Sequence, residues 1–201
     1  MGSGARAFGE GVKLLKFLLP MAALVIAAAP PPASVAVAPL AAPPAVAANP
    51  ANKLYLDLST GGTVIVQMRP DLAPGHVERV QTLVRRGFYN GLTFHRVIPG
   101  FMAQGGDPKG SGEGGSDLPD LKAEFTPGMP FLRGTVAAAR TGDNPNSANS
   151  QFFIMFGPLG TLTGNYTIWG RVVGGMDAVD RIAPGEPPAE PSKIVSARLG
   201  G

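Results

Sequence analysis

Alternating apolar and polar residues predict that the folded part of the chain opens with a β-hairpin. Leu54, Leu56 and Leu58 recur at every second position, which indicates a strand with one buried face. A Thr-Gly-Gly turn follows at 60–62, and the β-branched run at 63–68 is typical of the returning strand. We therefore expect the domain to begin within a few residues of this first strand.

A helical period replaces the strand period between residues 69 and 89. Pro74 suits the first turn of a helix, where its missing N–H is not needed, and Gly87 suits the end. One apolar stripe recurs at three- and four-residue spacing: Val77, Val80, Leu83 and Val84. A second, shorter helix is predicted over residues 176–182.

Short strands dominate the remainder of the chain. Beyond the first hairpin they are predicted at 92–97, 101–104, 135–139, 152–155, 167–173 and 193–199. The proline-rich stretch 186–191 is interpreted as a rigid connector before the last strand. Many short strands with two helices indicate a mainly β fold and favour a closed antiparallel barrel, although periodicity alone does not separate a barrel from a sandwich.

The first 48 residues differ in composition from the rest. Three basic residues precede an apolar run at 17–29, the pattern of a charged segment and apolar core that is typical of a secretory signal. The run is shorter than the roughly 20 residues that span a bilayer. We therefore predict a signal peptide and Ala/Pro-rich segment at 1–48, and one globular domain at 49–201.

Small residues within the Ala/Pro tract suit a signal peptidase. Ala45 and Ala47 flank Val46 in a small-x-small pattern, so we expect cleavage near Ala47 or Ala48. The cleaved protein would be exported to the periplasm with no membrane attachment. The alternative is an uncleaved N-terminus that tethers the domain to the inner membrane.

Composition narrows the chemistry open to the domain. The 17 Lys and Arg exceed the 14 Asp and Glu mainly in the first 48 residues, so no basic patch argues for nucleic acid binding. Cysteine is absent, which excludes disulfides and thiolate nucleophiles. His76 and His95 are too few for a zinc site and are interpreted as structural. We expect no metal and no cofactor.

Candidate chemistry is concentrated in residues 94–107, which read FHRVIPGFMAQGGD. This segment places Arg96 close to Phe101, Met102 and Gln104, and a second stretch, NSQFFI, adds another amide and more aromatic surface. Strand alternation can put an apolar wall and an amide on a shared face near the guanidinium. Such a site can bind an apolar group and form a hydrogen bond to one polar atom beside it. It contains no nucleophile.

These residues resemble the cyclophilins, a family of peptidyl-prolyl cis-trans isomerases. The first stretch follows that family's FHR-x-IPGFM-x-QGGD pattern, and residues 149–154 follow its SQFFI pattern. Residues 162–172 are similar to its LDG-x-x-x-x-FG-x-V segment. The resemblance covers about residues 53–199. It implies a closed eight-stranded antiparallel barrel capped by two α-helices.

The resemblance also implies the site residues. Arg96, Gln104 and Phe101 would be catalytic, with Arg96 as a permanently charged donor that no general base needs to assist. The residues implied to bind the substrate are Met102, Ala139, Arg140, Gln151, Phe153, Leu162 and Tyr166. Among these, the apolar side chains would hold the proline ring, whereas Ala139 and Arg140 would pair through main-chain groups. The aromatic residues expected in the core instead are Phe94, Phe152 and Trp169.

The chain departs from the family pattern at three positions in or next to this site. Thr161 stands where animal cyclophilins commonly carry the tryptophan that contributes to cyclosporin binding, so we expect weak cyclosporin binding with isomerase activity retained. Tyr166 stands in place of a pocket histidine and can still supply an apolar face and a hydroxyl. Arg140 stands where many relatives have asparagine, a change that main-chain recognition tolerates.

The leading hypothesis is a monomeric, exported prolyl isomerase that acts on proline-containing polypeptides and assists their folding. A second hypothesis is a proline-peptide binding module or chaperone that kept the pocket without significant turnover. The retained Arg96 argues against it, because a binder needs no donor at the prolyl nitrogen. A hydrolase has little support, since no serine or aspartate accompanies a histidine in a recognisable motif.

Overall fold

A computed structural model of the protein describes residues 40–201. Its eight strands are β1 (Lys53–Leu58), β2 (Thr63–Met68), β3 (Phe94–Ile98), β4 (Met102–Gly105), β5 (Thr135–Ala138), β6 (Phe152–Met155), β7 (Ile168–Gly174) and β8 (Ile194–Leu199). Its α-helices are α1 (Pro44–Ala48), α2 (Pro74–Arg85) and α3 (Met176–Asp180). The expected charged segment and apolar run at 1–29 lie outside the described residues.

All eight strands form one antiparallel sheet, in the order β3-β4-β6-β5-β7-β2-β1-β8. The prediction of a mainly β, eight-stranded antiparallel fold is confirmed. The prediction of a closed barrel is wrong, because the sheet is an open, curled half-barrel whose edge strands β3 and β8 form no ladder with each other.

Proline explains why these edges do not pair fully. Isolated bridges join Thr93 to Lys193 and Val97 to Gly185, so the chain between positions 185 and 193 runs beside the edge of β3. That stretch contains three prolines, which cannot donate ladder hydrogen bonds: Pro187, Pro188 and Pro191. The Glu186–Pro187 peptide bond is cis. Bridges therefore form at both ends of the stretch without a continuous ladder between them.

The two predicted helices are both present. Helix α2 has Pro74 in its first turn, and the Gly87 amide donates to the Val84 carbonyl at 2.9 Å where the helix ends. Helix α3 ends at Asp180, two residues earlier than expected. A third helix, α1, is five residues long and buries none of them. Among residues 40–201, no helix is long and apolar enough to cross a membrane.

Apolar side chains form two clusters on opposite faces of the central strands. In β6, Phe152 and Ile154 belong to the main core, whereas Phe153 and Met155 belong to a second cluster, as a two-residue period requires. The main core lies between the curled sheet and α2. It contains all three aromatic residues predicted there: Phe94, Phe152 and Trp169. The second cluster is therefore the apolar surface left for a site.

Candidate active site

Strand register brings three of the predicted site residues side by side. Arg96 on β3 is the direct partner of Gln104 on β4, and Gln104 is the direct partner of Phe153 on β6. Directly opposite residues of antiparallel strands share a face, so the guanidinium, the amide and the ring form one row across the sheet. The sequence pattern alone had placed Phe153 in a separate motif.

The second cluster collects every predicted apolar site residue. Met102 and Phe153 are buried within it, and Phe101, Ala139, Leu162 and Tyr166 pack against it half-buried. The Tyr166 ring meets the Phe153 ring edge-on, with 5.5 Å between centroids. Other members of this cluster are not predicted from the sequence: Leu72, Ile98, Met129, Phe131, Ala137, Met155 and Ile168. Alternation in β6 could have identified Met155, which lies two residues from Phe153.

The two predicted glutamines form a hydrogen-bonded chain. Gln104 Nε2 donates to Gln151 Oε1 at 2.9 Å. Gln151 Nε2 in turn donates to the carbonyls of Gly112 and Gly114, both at 2.8 Å. The amide of Gln104 is thereby held in one orientation beside Arg96. The glycine-rich loop, 105–115, thus has a structural role at the edge of the site.

Asp107, which is not among the predicted site residues, organises that loop. Its buried carboxylate accepts hydrogen bonds from the amides of Lys109, Ser111 and Gly112 at 2.6 to 2.9 Å. Burial alone would raise the pKa of Asp107, but these backbone bonds hold it below the usual range. Its place at the end of the FHR…QGGD motif was the available signal. Asp107 therefore supports the carbonyls that position Gln151.

The predicted main-chain recognition segment lies at the end of β5. The Ala139 amide donates to the Gln151 carbonyl at 3.0 Å. Within residues 40–201, no hydrogen bond engages the Ala139 carbonyl or the Arg140 amide, which are free to pair with a peptide. A cleft of about 460 Å³ adjoins them, and its lining includes Thr141 and Asn149.

The Arg140 side chain packs onto the Tyr166 ring. Its guanidinium carbon lies 4.6 Å from the ring centroid, a cation–π contact. Its nitrogens also donate to the carbonyls of Asn165, Thr141 and Gly142 at 2.8 to 3.0 Å. Arg140 therefore joins the two loops that flank the second cluster.

Arg96 has a carboxylate partner that the sequence did not reveal. Its Nε donates to Glu186 Oε2 at 2.7 Å. Among the described residues, the terminal nitrogens Nη1 and Nη2 have no hydrogen-bond partner, so both remain available to a substrate. Glu186 lies in the stretch interpreted as a connector, which therefore also contributes a side chain to the site.

A histidine–carboxylate pair at the start of α2 is structural. His76 Nδ1 is 2.6 Å from Glu124 Oε2, and Glu124 also accepts from the amides of Gly75 and His76 at the start of α2. His76 Nε2 is buried, and no hydroxyl reaches it in the described part of the chain. Without a nucleophile this pair cannot act as a hydrolytic triad.

We expect the protein to lose stability in mild acid because it buries two neutral histidines. Burial lowers the pKa of His76 and of His95 from the usual value of about 6.5. The unfolded chain therefore binds more protons as the pH falls below 6.5, which favours unfolding. Each histidine can cost at most about 2 kcal/mol of unfolding free energy by about pH 5.

Urea unfolding of the domain near pH 7.5 and near pH 5 measures this loss. The double variant His76→Asn/His95→Asn should flatten the difference. The lowered pKa values of Asp107 and Glu124 add a separate loss only below about pH 4. An equal slope in the variant and the wild type would show that other groups carry the dependence.

Among residues 40–201, no group of three or more His, Cys, Asp or Glu side chains could hold a metal ion. Arg96, the two glutamines and the second cluster are the functional groups on this face. They can bind an apolar ring and donate hydrogen bonds to one polar atom beside it.

Comparison with known proteins agrees with this chemistry. A family model described as cyclophilin type peptidyl-prolyl cis-trans isomerase/CLD matches residues 55–199. The chain is 52% identical over 169 residues to the "Probable peptidyl-prolyl cis-trans isomerase" of Brucella suis biovar 1, covering 76% of this chain and 85% of that protein. It is 38% identical over 132 residues to peptidyl-prolyl cis-trans isomerase B of Bacillus subtilis, covering 66% and 91%.

Solved structures show the same fold. Cyclophilin AquaCyp293 from Hirschia baltica superposes with a TM-score of 0.68 at 31% identity, covering 75% of this chain and 74% of that one. A Cryptosporidium parvum cyclophilin crystallised in the presence of the dipeptide Ala-Pro superposes with a TM-score of 0.69 at 25% identity, covering 74% and 99%. The chain belongs to the cyclophilin family and is a peptidyl-prolyl cis-trans isomerase of that type.

Proposed function

We propose that the enzyme accelerates X-Pro rotation in exported polypeptides, with Arg96 as the group that stabilises the twisted bond. The row from Arg96 through Gln104 to Phe153 carries this proposal. Arg96 on β3 is a charged donor with two available terminal nitrogens. Apolar residues of the second cluster lie on the next two strands of the sheet, β4 and β6.

The chemistry of the bond explains why one donor is enough. Amide resonance gives the C–N bond partial double-bond character and a rotation barrier of about 18–20 kcal/mol. Twisting the bond breaks that resonance, so the prolyl nitrogen becomes pyramidal and gains a lone pair. A donor aimed at this nitrogen binds the twisted state more strongly than the planar one, and such differential binding lowers the barrier. No proton has to be transferred.

The remaining residues have binding roles in this proposal. Phe101, Met102, Phe153 and Leu162 hold the proline ring, and the Tyr166 ring closes one side of the surface. Ala139 and Arg140 pair with the substrate backbone through their free main-chain groups. Gln104 and Gln151 donate hydrogen bonds to a substrate carbonyl or orient Arg96. An apolar surface also strengthens the Arg96 contact by lowering the local dielectric.

Exchange NMR on a short Ala-Pro peptide tests the proposal. The domain from Lys53 to Gly201 contains all eight strands and is added at substoichiometric concentration. Accelerated cis-trans exchange is the expected result. Line broadening from binding without acceleration would instead support the rival hypothesis of a proline-peptide binding module, and Thr161 and Tyr166 would be the first residues to examine.

We expect cyclosporin to bind weakly because Thr161 gives little contact area. Thr161 is exposed, at the rim of the second cluster beside Leu162. A Thr161→Trp variant should raise cyclosporin affinity by about tenfold or more, since a single aromatic anchor can dominate an interface. Fluorescence titration of wild type and variant measures it, and a nanomolar complex with the wild type would contradict the expectation.

The proposed export rests on the N-terminal sequence. Basic residues followed by the apolar run at 17–29 form the pattern of a secretory signal, and Ala45 and Ala47 suit cleavage. Removal at Ala47 or Ala48 leaves every strand, because β1 starts at Lys53. Mass determination of the full chain recovered from the periplasm tests this; an intact chain in the membrane fraction would support the tethered alternative.

A further inference from the structure

We propose that Glu186 is a positioning residue that holds the Arg96 guanidinium in its working orientation. The inference rests on the proposed role of Arg96 and concerns how that role is achieved. Arg96 Nε donates to Glu186 Oε2 at 2.7 Å, and the two side chains are 42% and 51% exposed. The contact is thus formed at the surface, where a substrate would also approach.

The backbone fixes this pair by register. Val97 and Gly185 exchange two hydrogen bonds, from the Val97 amide to the Gly185 carbonyl at 2.8 Å and in the reverse direction at 2.9 Å. The bridge is antiparallel, so the residue before Val97 faces the residue after Gly185. Arg96 and Glu186 are therefore directly opposite, the arrangement in which oppositely charged side chains meet.

Gly185 allows the connector to take this path. Its φ of +142° lies in a region that side chains rarely adopt, and a Cβ there would lie 2.5 Å from the Pro188 Cα. Pro187 and Pro188 then restrict the backbone that follows Glu186. The carboxylate is thus presented from a constrained segment rather than from a mobile loop tip.

The bond to Nε determines which donors remain. Arginine has five N–H donors in a planar fork, and Nε carries only one of them. Occupying Nε fixes the plane of the fork and leaves Nη1 and Nη2 for the substrate. A long arginine side chain without a partner would instead sample many rotamers, and few of them would direct the fork over the second cluster. Glu186 thereby reduces the entropy cost of reaching the transition state.

Two substitutions of Glu186 separate the hydrogen bond from the charge. Glu186→Ala should lower kcat about fivefold with KM changed less than about twofold, as expected when one half-exposed ionic contact to a catalytic group is lost. Glu186→Gln should stay within about twofold of the wild type, because the amide oxygen still accepts from Nε. Glu190→Ala is the matched control: it removes an exposed carboxylate of the same segment that has no polar partner within residues 40–201.

A spectroscopic readout tests the contact independently of turnover. The Arg96 Nε–H resonance should be protected from solvent exchange in the wild type, Glu186→Gln and Glu190→Ala proteins, and lose that protection in Glu186→Ala. Unchanged or increased turnover in Glu186→Ala overturns the positioning role. Equal losses in Glu186→Ala and Glu186→Gln also overturn it, because the charge would then matter instead. A wild type that matches buffer alone would refute the isomerase function itself, a result distinct from either.

Discussion

Replacing Arg96 by alanine is expected to lower kcat/KM for a short Ala-Pro peptide by about 100- to 1,000-fold, the cost of removing one preorganised donor from a transition state. In the proposed mechanism, Arg96 binds the substrate most strongly when the prolyl nitrogen is pyramidal, so the loss should appear in turnover. The peptide dissociation constant should change by less than about tenfold, because the second cluster remains intact. Exchange NMR measures both quantities in one sample.

Arg133 provides the matched control for this variant. It is also a half-exposed arginine in an ion pair, with its Nη2 at 2.6 Å from Asp180 Oδ2, and it lies outside the second cluster. Arg133→Ala should leave turnover unchanged. Activity that survives in Arg96→Ala would show that another group stabilises the twisted bond. Loss of peptide binding together with turnover would mean that Arg96 anchors the ground state.

Phe152 and Phe153 are adjacent residues on opposite faces of β6, so replacing each one in turn separates the effects on packing from the effects on substrate binding. Alanine at either position should lower the free energy of unfolding by about 3–5 kcal/mol, because both rings are buried and each leaves a cavity. Only Phe153→Ala should also weaken peptide binding, by about tenfold or more, since Phe153 lies in the second cluster with Phe131 and Tyr166. Phe152 instead packs against Trp169 in the main core.

Urea unfolding and peptide titration, both at low temperature, measure the two effects. The corresponding Phe→Leu variants repeat the comparison with smaller cavities if the alanine variants unfold. Equal losses of binding in both variants would show that the site depends on global stability. Unaffected binding in Phe153→Ala would remove this ring from the proline surface.

Periodicity and turn signals predicted the elements because they are local properties. The alternation of Leu54, Leu56 and Leu58 appears directly as the buried face of β1, and the stripe containing Val77 and Val80 is the buried face of α2. Sheet closure is not local. It depends on whether two edges distant in sequence can exchange hydrogen bonds, and the prolines between positions 185 and 193 prevent a continuous ladder.

Sequence motifs predict the candidate site residues, but they do not predict which residues lie beside them or hold them in place. Gln104 and Phe153 occur in recognisable segments, but their adjacency follows from the pairing of β4 with β6. Glu186 could not be found by motif, because an Arg–Glu contact across 90 positions leaves no local periodic signal. Arg79 is a second example: it is not part of the predicted apolar stripe, yet it is buried in α2 and donates to the Pro119 carbonyl at 2.6 Å.

The two-faced strands have a consequence for how this sequence can diverge. In β6, successive residues serve different requirements, because Phe152 and Ile154 maintain the main core while Phe153 and Met155 contact the second cluster. Substitutions at positions 153 and 155 therefore alter the second cluster directly while leaving the side chains of the main core in place. Because all four residues of β6 are buried, every substitution there costs stability, and we expect only those at alternate positions, 153 and 155, to change substrate preference as well.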